Sequence, residues 1–504
     1  MADFILAIDQ GTTGSSAAIF NAQTLEMLSH EKVEFRQIYP TSGWVEHNPN
    51  DIWQSVETAI EKSWNSLLRV QPAAQKTAII AMGVTNQRET CLAWNKTTGE
   101  TAGNAIVWQD RRTADRCLQL RNGAWRDPIH FKTGLVCDPY FSATKMEWIL
   151  QNNPAAARWL KEKTLCLGTI DTFLISRLSG GKTFVTDPTN ASRTMLYNVN
   201  NTSWDQELFE LFGIPLWALP EVVPSSGVIA KTSGLKCLPD GIPVTGILGD
   251  QQAALFGQSC TQAGEAKITF GTGAFLLMNT GKNMVFSSSG LLTTVAFGHA
   301  DGTVSYALEG SAFIAGAAVQ FLRDQFEWIR DASEIEALAL KDARDPHVLF
   351  VPALTGLGAP YWNPHAKGAL FGLSRGTTRS QIARAVLESI ALQNAQLLDL
   401  MQTDSGHEIS KVAVDGGASK NNTLMQFQAD CLQTTLVRPT NAETTARGAA
   451  AAALQGIKAS SALPAPQADR TFVPKISAVD ASYINSAWQN AAQCVNAFHM
   501  EEGI

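Results

Sequence analysis

Close pairs of cysteine are missing from this sequence: its eight cysteines stand singly at 91, 117, 137, 166, 237, 260, 431 and 494. That spacing argues against the clusters of zinc sites and dithiol redox centres, and it reads as reduced thiols in a cytoplasmic protein. Long apolar runs are also absent, none reaching the roughly 18 residues of a membrane span. The start, Met1-Ala2-Asp3-Phe4, carries no positively charged region, so neither bilayer insertion nor export is expected. Positive charge is scarce: 39 Lys and Arg face 46 Asp and Glu, a net charge of −7, and the longest basic block is the pair Arg111-Arg112. Nucleic acid and anionic membrane are poor candidates for a main partner. Neither a Gly-x-x-x-x-Gly-Lys-Ser/Thr nor a Gly-x-Gly-x-x-Gly occurs, so neither a P-loop nor a Rossmann site is supported.

What the chain has in quantity is apolar material, 45% of 504 residues against 17% charged. That is enough for large cores in two big domains or three ordinary ones. The first strand-like run, Phe4-Ile5-Leu6-Ala7-Ile8, turns through Asp9-Gln10-Gly11-Thr12-Thr13-Gly14 into Ala17-Ala18-Ile19-Phe20. The same design returns at Ala266-Lys267-Ile268-Thr269-Phe270, Gly271-Thr272-Gly273 and Ala274-Phe275-Leu276-Leu277-Met278. An internal duplication follows, with a boundary between Ala254 and Thr261, giving halves 1–254 and 255–504. Strand-like stretches alternate with helical ones, as in α/β folds. One helix is expected from Ser380, with Ile382, Val386, Ile390, Leu397 and Met401 at helical spacing, to Gly406. Low-complexity sequence is limited to an alanine-rich stretch at 446–453 and a Pro/Ala/Ser segment at 459–468, read as a surface loop.

A turn that holds a polyphosphate needs glycines for close backbone approach, hydroxyls and amides as donors, and a carboxylate to organise a hydrated cation. The turn from Asp9 to Gly14 offers all three. A lone Gly-Thr turn is usually only a hairpin, but two of them one domain apart favour function. A third segment, Asp415-Gly416-Gly417-Ala418-Ser419-Lys420-Asn421, follows the strand-like Lys411-Val412-Ala413-Val414. It suits a nucleotide lying against glycine backbone with Asn421 free to hydrogen-bond it. The plainer reading is a strand-to-helix loop.

Longer stretches carry a resemblance. YFSATKMEWILQN at 140–152, and GALFGL at 368–373 followed by Gln381-Ile382 and AVLE at 385–388, resemble the two signatures of the FGGY carbohydrate kinases, in the actin/hexokinase/Hsp70 superfamily. Six further blocks resemble the glycerol-phosphorylating members: YPTSGWVEH at 39–47, TNQRET at 85–90, NAIVWQ at 104–109, DPTNASRTM at 187–195, GDQQAALFG at 249–257 and LTGLGAPYW at 354–362. The resemblance implies an α/β fold of two ribonuclease-H-like (actin-like ATPase) domains flanking a cleft, with ATP held mainly by the second domain and the polyol by the first. It also implies Mg2+, closure that excludes water, and a homodimer or homotetramer.

Residue by residue, the resemblance makes Asp250 the general base, orienting the alcohol and taking its proton late; a helix cap is its bland alternative. Arg88 and Glu89, otherwise a surface ion pair worth about 0–1 kcal/mol, grip the polyol with Tyr140, Asp250 and Gln251. Trp108 and Phe275 cover its carbon skeleton, or else belong to the core. The phosphates fall to Thr12, Thr13, Gly14 and Ser16 of the first turn and to Thr272 of the second. Gly316, Gln320, Gly417 and Asn421 complete the nucleotide site, and Asp9 holds Mg2+ through its water shell. Competing readings are a sister kinase for xylulose, ribulose, gluconate or another polyol, and a non-catalytic sugar sensor, filament protein or chaperone on the same nucleotide fold.

The pattern breaks at the first turn. The glycerol-phosphorylating relatives commonly continue it with Ser, Ser or Thr, then Arg, where this chain has Gly14-Ser15-Ser16. The region 227–241 has no histidine for phosphorylation and no arginine for fructose 1,6-bisphosphate, so neither form of control is expected. An arginine–phosphate contact is worth about 1.5–3 kcal/mol. Ser16→Arg is accordingly expected to lower the KM for ATP or raise kcat; unchanged steady-state kinetics would show that this position is not limiting.

Overall fold

A computed structural model describes residues 3–363, 365–458 and 463–498. They form two compact units: Met1–Ser259 with Thr293–Tyr306 and Thr444–Ala465, and Cys260–Leu292 with Ala307–Glu443 and Pro466–Ile504. Compactness thus groups the chain differently from the successive halves 1–254 and 255–504, because a late helix returns to the first unit. Of the Pro/Ala/Ser segment, 459–462 lies outside the described residues.

The first unit is built on a six-stranded sheet ordered Ser226–Lys231, Pro243–Gly249, Ile79–Asn86, Phe4–Gln10, Gly14–Asn21, Met27–Glu34. The strands Pro243–Gly249, Ile79–Asn86 and Phe4–Gln10 run parallel, and the hairpin after Phe4–Gln10 is antiparallel. Phe4 to Ile8 are all buried. A strand covered on both faces has no solvent side to alternate with, so its sequence is continuously apolar. One face packs on the helix Pro49–Val70 through Leu6, Ile8, Ile52, Val56, Ile60 and Trp64.

The other face receives the helix Thr444–Ile457, which the sequence showed only as an alanine-rich stretch. Ala446, Ala449, Ala450, Ala451 and Ala453 are buried there with Ile5, Ala7 and Ala81. Small residues on both sides let the backbones come close. A Cβ at Gly83 would overlap the carbonyl of Ala449, one at Gly448 the carbonyl of Ala253, and one at Gly246 would lie 2.6 Å from the Ala453 nitrogen.

The second unit repeats the topology. Its strand Glu265–Phe270 pairs antiparallel with Ala274–Gly281 and parallel with Lys411–Asp415, which pairs parallel with Leu436–Pro439. The internal duplication read from the sequence is therefore present in the strand order. The expected long helix spans Arg379–Ser405, opened by a Thr378–Gln381 capping box and ended at Gly406 with φ 68.

In both sheets the parallel register matters most for function. Gln10 and Gly249 both pair with Asn86, so the segments after these three strands emerge side by side. Thr269 pairs with Asp415, which does the same for Gly271 and Gly416. The carboxyl ends of adjacent parallel strands are where open α/β sheets bind ligands.

Gly448→Ala tests the close packing. Alanine improves helix propensity by about 0.8–1 kcal/mol, while overpacking typically costs about 1–3 kcal/mol. The overlap with Ala253 should dominate, lowering the midpoint of chemical denaturation; a raised midpoint would mean the contact is loose.

Candidate active site

Two strand ends supply the centre of the cluster in the first unit. Arg88 follows the strand Ile79–Asn86, and Asp250 opens the helix Asp250–Gly257 directly after the strand Pro243–Gly249. The Arg88 guanidinium is buried, with Nε 3.1 Å from Asp250 Oδ1 and 3.7 Å from Glu89 Oε1. Its Nη1 donates to Gln252 Oε1 at 3.2 Å and its Nη2 to the Tyr140 hydroxyl at 3.3 Å. The side chains of Arg88 and Glu89 are 1% and 2% exposed, which rules out the surface ion pair, whereas that of Asp250 is 31% exposed. A carboxylate held by a buried cation and still partly exposed is placed to meet a ligand. Gly249 occupies the helix-cap position, and Asp250 Oδ1 also accepts from the Gln251 amide at 2.7 Å.

Glu89 has φ 61, an unusual conformation for a residue with a side chain. Its carboxylate accepts from Arg193 Nε at 2.6 Å. Arg193 is fully buried, its guanidinium 5.7 Å from the Tyr140 ring and 5.3 Å from Phe141. Two cations and two carboxylates thus balance within one cluster, which limits the desolvation penalty each would carry alone.

Trp108 and Tyr140 stand edge to face at 5.6 Å, and the Trp108 indole donates to Thr12 Oγ1 at 3.0 Å. That bond ties the aromatic wall to the first glycine turn. Gln251, half-buried, follows Asp250 in the helix's first turn. Phe275 lies in the second unit, half-buried on the strand Ala274–Gly281 opposite Thr269.

The first turn closes with Gly11 N donating to Gly14 O at 2.9 Å. Thr13 is exposed, Thr12 half-buried, and Gly14 and Ser16 buried. Asp9 is half-buried, opposite Ser16 and beside Thr85. Beneath the turn, Gln87 Nε2 donates to Gln10 Oε1 at 3.0 Å and approaches His47 Nδ1 at 3.3 Å, while Gln37 Nε2 donates to Thr12 O at 3.1 Å. With Nδ1 facing the Gln87 amide, the His47 proton belongs on Nε2, donating to Gln37 Oε1 at 2.7 Å.

In the second unit, Thr272, Gly316, Gln320, Gly417 and Asn421 line a single cavity of about 470 Å³. Ile335, Leu387 and Leu424 make its walls apolar, as a flat heterocycle requires. The turn at Gly271 and the helix Gly316–Asp324 are locked together: Gly316 N donates to Gly271 O at 3.0 Å and Ala315 N to Thr272 O at 2.8 Å. One expectation needs correction. Asn421 is not wholly free, because its Oδ1 caps the helix Asn422–Leu432 by accepting from Leu424 N at 2.8 Å. Its Nδ2 donors remain for a ligand.

The N-terminal domain of the FGGY family of carbohydrate kinases matches residues 4–257, and the family's C-terminal domain matches residues 266–456. The chain belongs to the FGGY family of carbohydrate kinases. This FGGY kinase is 50% identical over 451 residues to the glycerol kinase of Bdellovibrio bacteriovorus, covering 89% of this chain and 90% of that one. It is 47% identical over 502 residues to the glycerol kinase of Oceanobacillus iheyensis, covering 99% of each. Its structure matches the crystal structure of Plasmodium falciparum glycerol kinase with ADP at TM-score 0.91, 33% identity and 99% coverage of both chains. Gluconate kinase from Lactobacillus acidophilus, at TM-score 0.87 and 20% identity, shares the fold. The FGGY kinase therefore has the two-domain α/β fold expected from its sequence.

Sequence reasoning missed Arg193, Gln252 and the glutamines and histidine beneath the first turn. Arg193 and His47 lie within the blocks at 187–195 and 39–47, and the buried Glu89 needed a second cation. No spacing rule pairs residues so far apart in sequence.

His47 predicts a pH dependence. Burial lowers its imidazole from 6.5 to about 4. The unfolded chain therefore takes up this proton first as pH falls. The neutral form's contribution is complete above pH 6.5 and is lost between 6.5 and about 4, a change of about 3 kcal/mol. His47→Gln should flatten that part of the stability–pH curve; a slope unchanged from the parent contradicts it.

Proposed function

We propose that this chain transfers the γ-phosphoryl group of ATP to glycerol, forming sn-glycerol 3-phosphate in the first step of glycerol catabolism. The observation that carries the reading is the buried Arg88–Glu89–Arg193–Asp250 cluster beside Tyr140 and Trp108. It combines a donor, acceptors and an aromatic wall, as a selective polyol site needs, and glycerol kinases are about half identical to this chain over most of its length.

In this reading Arg88 donates to one glycerol oxygen, Glu89 accepts from another, and Tyr140 and Gln251 complete the polar contacts. Trp108 and Phe275 cover the carbon skeleton. The acceptor oxygen forms a bond to the γ-phosphorus, the bond to the ADP oxygen breaks, and the hydroxyl proton passes to Asp250. Arg88, 3.1 Å from Asp250 Oδ1, orients that carboxylate for the alcohol. Thr12, Thr13, Gly14, Ser16 and Thr272 bind the phosphates; Gly316, Gln320, Gly417 and Asn421 bind the rest of the nucleotide.

The donor set fits Mg2+. Among the described residues no group of three or more His, Cys, Asp or Glu could cage a metal, and the half-buried Asp9 lies at the strand end before the turn. Mg2+ keeps several waters and relies on phosphate oxygens, so one carboxylate suffices. Asp9 would hold the ion through water, where it supplies charge neutralisation. No helix among the described residues is long and apolar enough to cross a membrane. A cytoplasmic homodimer or homotetramer belongs to the same proposal, the location supported by seven buried free cysteines and the assembly by family resemblance.

Coupled ADP release over a panel of glycerol, xylulose, ribulose and gluconate tests it. Glycerol should be preferred, and Asp250→Asn should lose about 10²–10⁴-fold in kcat. Absence of glycerol turnover, or a fully active Asp250→Asn, overturns the reading.

A further inference from the structure

The first turn lacks a cation of its own, with serine at 16, yet a polyphosphate there brings several negative charges. The strand Met27–Glu34 runs antiparallel to Gly14–Asn21, and Ser16 pairs directly with Lys32. Directly opposed residues project from the same face with Cβ atoms about 4.5–5.5 Å apart. A long side chain at 32 therefore reaches the region a long side chain at 16 would occupy. The Lys32 side chain does run over the turn. Its Nζ donates to Thr13 Oγ1 at 3.4 Å, and its Cε lies 3.2 Å from where a Cβ on Gly14 would stand. The absence of a side chain at Gly14 leaves this path open. Lys32 makes no ion pair among the described residues, so its charge is not neutralised by a neighbouring carboxylate. An ammonium has three donors, and the Thr13 hydroxyl takes one.

We infer that Lys32 supplies, from the neighbouring strand, the positive charge at the nucleotide phosphates that Ser16 does not. The inference rests on the turn at 11–14 being a phosphate site. Lysine acts there as a point charge and not as a bidentate fork, so its contribution is strongly salt-dependent. The plainer alternative is a solvated surface lysine with no effect on nucleotide binding.

Calorimetric titration of ATP and ADP into the full chain, with parallel steady-state kinetics, separates the two. Lys32→Met should weaken ATP binding about ten-fold at low salt, by less at high salt. The KM for ATP should rise in step, with the KM for glycerol unchanged and Lys32→Arg close to the parent. Adding Ser16→Arg should restore Lys32→Met, with a larger gain than Ser16→Arg gives the parent. Unaltered ATP affinity in Lys32→Met, or an equal gain from Ser16→Arg in both backgrounds, overturns the inference. Thr13→Ala distinguishes the two levels: if it weakens ATP binding while Lys32→Met does not, only the role of Lys32 falls. If both are silent although ATP still binds, the turn itself is not the phosphate site.

Discussion

The candidate polyol site depends on the register of three parallel strands. Phe4–Gln10, Ile79–Asn86 and Pro243–Gly249 are far apart in sequence, yet Asn86 pairs with both Gln10 and Gly249. The glycine turn, Arg88 and Asp250 consequently leave the sheet as neighbours. A slip of one residue would turn each side chain to the opposite face. What holds the register is burial on both sides, with the apolar stripe of Pro49–Val70 on one face and the small-residue helix Thr444–Ile457 on the other.

That helix shows how closely packing and function are linked. Gly83 and Gly246 sit on two of the three site-forming strands, and each meets the backbone of Thr444–Ile457 where a Cβ would collide. Glycine in a strand or helix normally weakens it. Here the loss is offset by close contact of backbones, which locks the strands four to five residues before they deliver Arg88 and Asp250.

Electrostatics imposes a second requirement. Arg88 and Arg193 are almost wholly buried, and neither tolerates burial without carboxylates. Glu89 serves Arg193 at 2.6 Å, and Asp250 serves Arg88 at 3.1 Å. Nearby, a neutral His47 and three glutamines support the glycine turn without adding charge.

Much of this was legible along the chain. The duplicated strand–turn–strand pattern and the helix ending at Gly406 are local features, determined by burial periodicity and turn chemistry, and the kinase signatures are read by resemblance to the family. In the second-unit cavity Thr272, Gly417 and Asn421 belong to glycine-rich turns visible locally, whereas Gly316 and Gln320 are identified only through the family resemblance. Tertiary structure alone decided that the alanine-rich stretch at 446–453 belongs to the first unit and that Asn421 is half occupied as a cap. It also decided that Glu89 answers to Arg193 and that Lys32 lies across from Ser16. Each of these is a pairing between distant segments, and sequence carries no distance between residues until strand register and backbone contact set one.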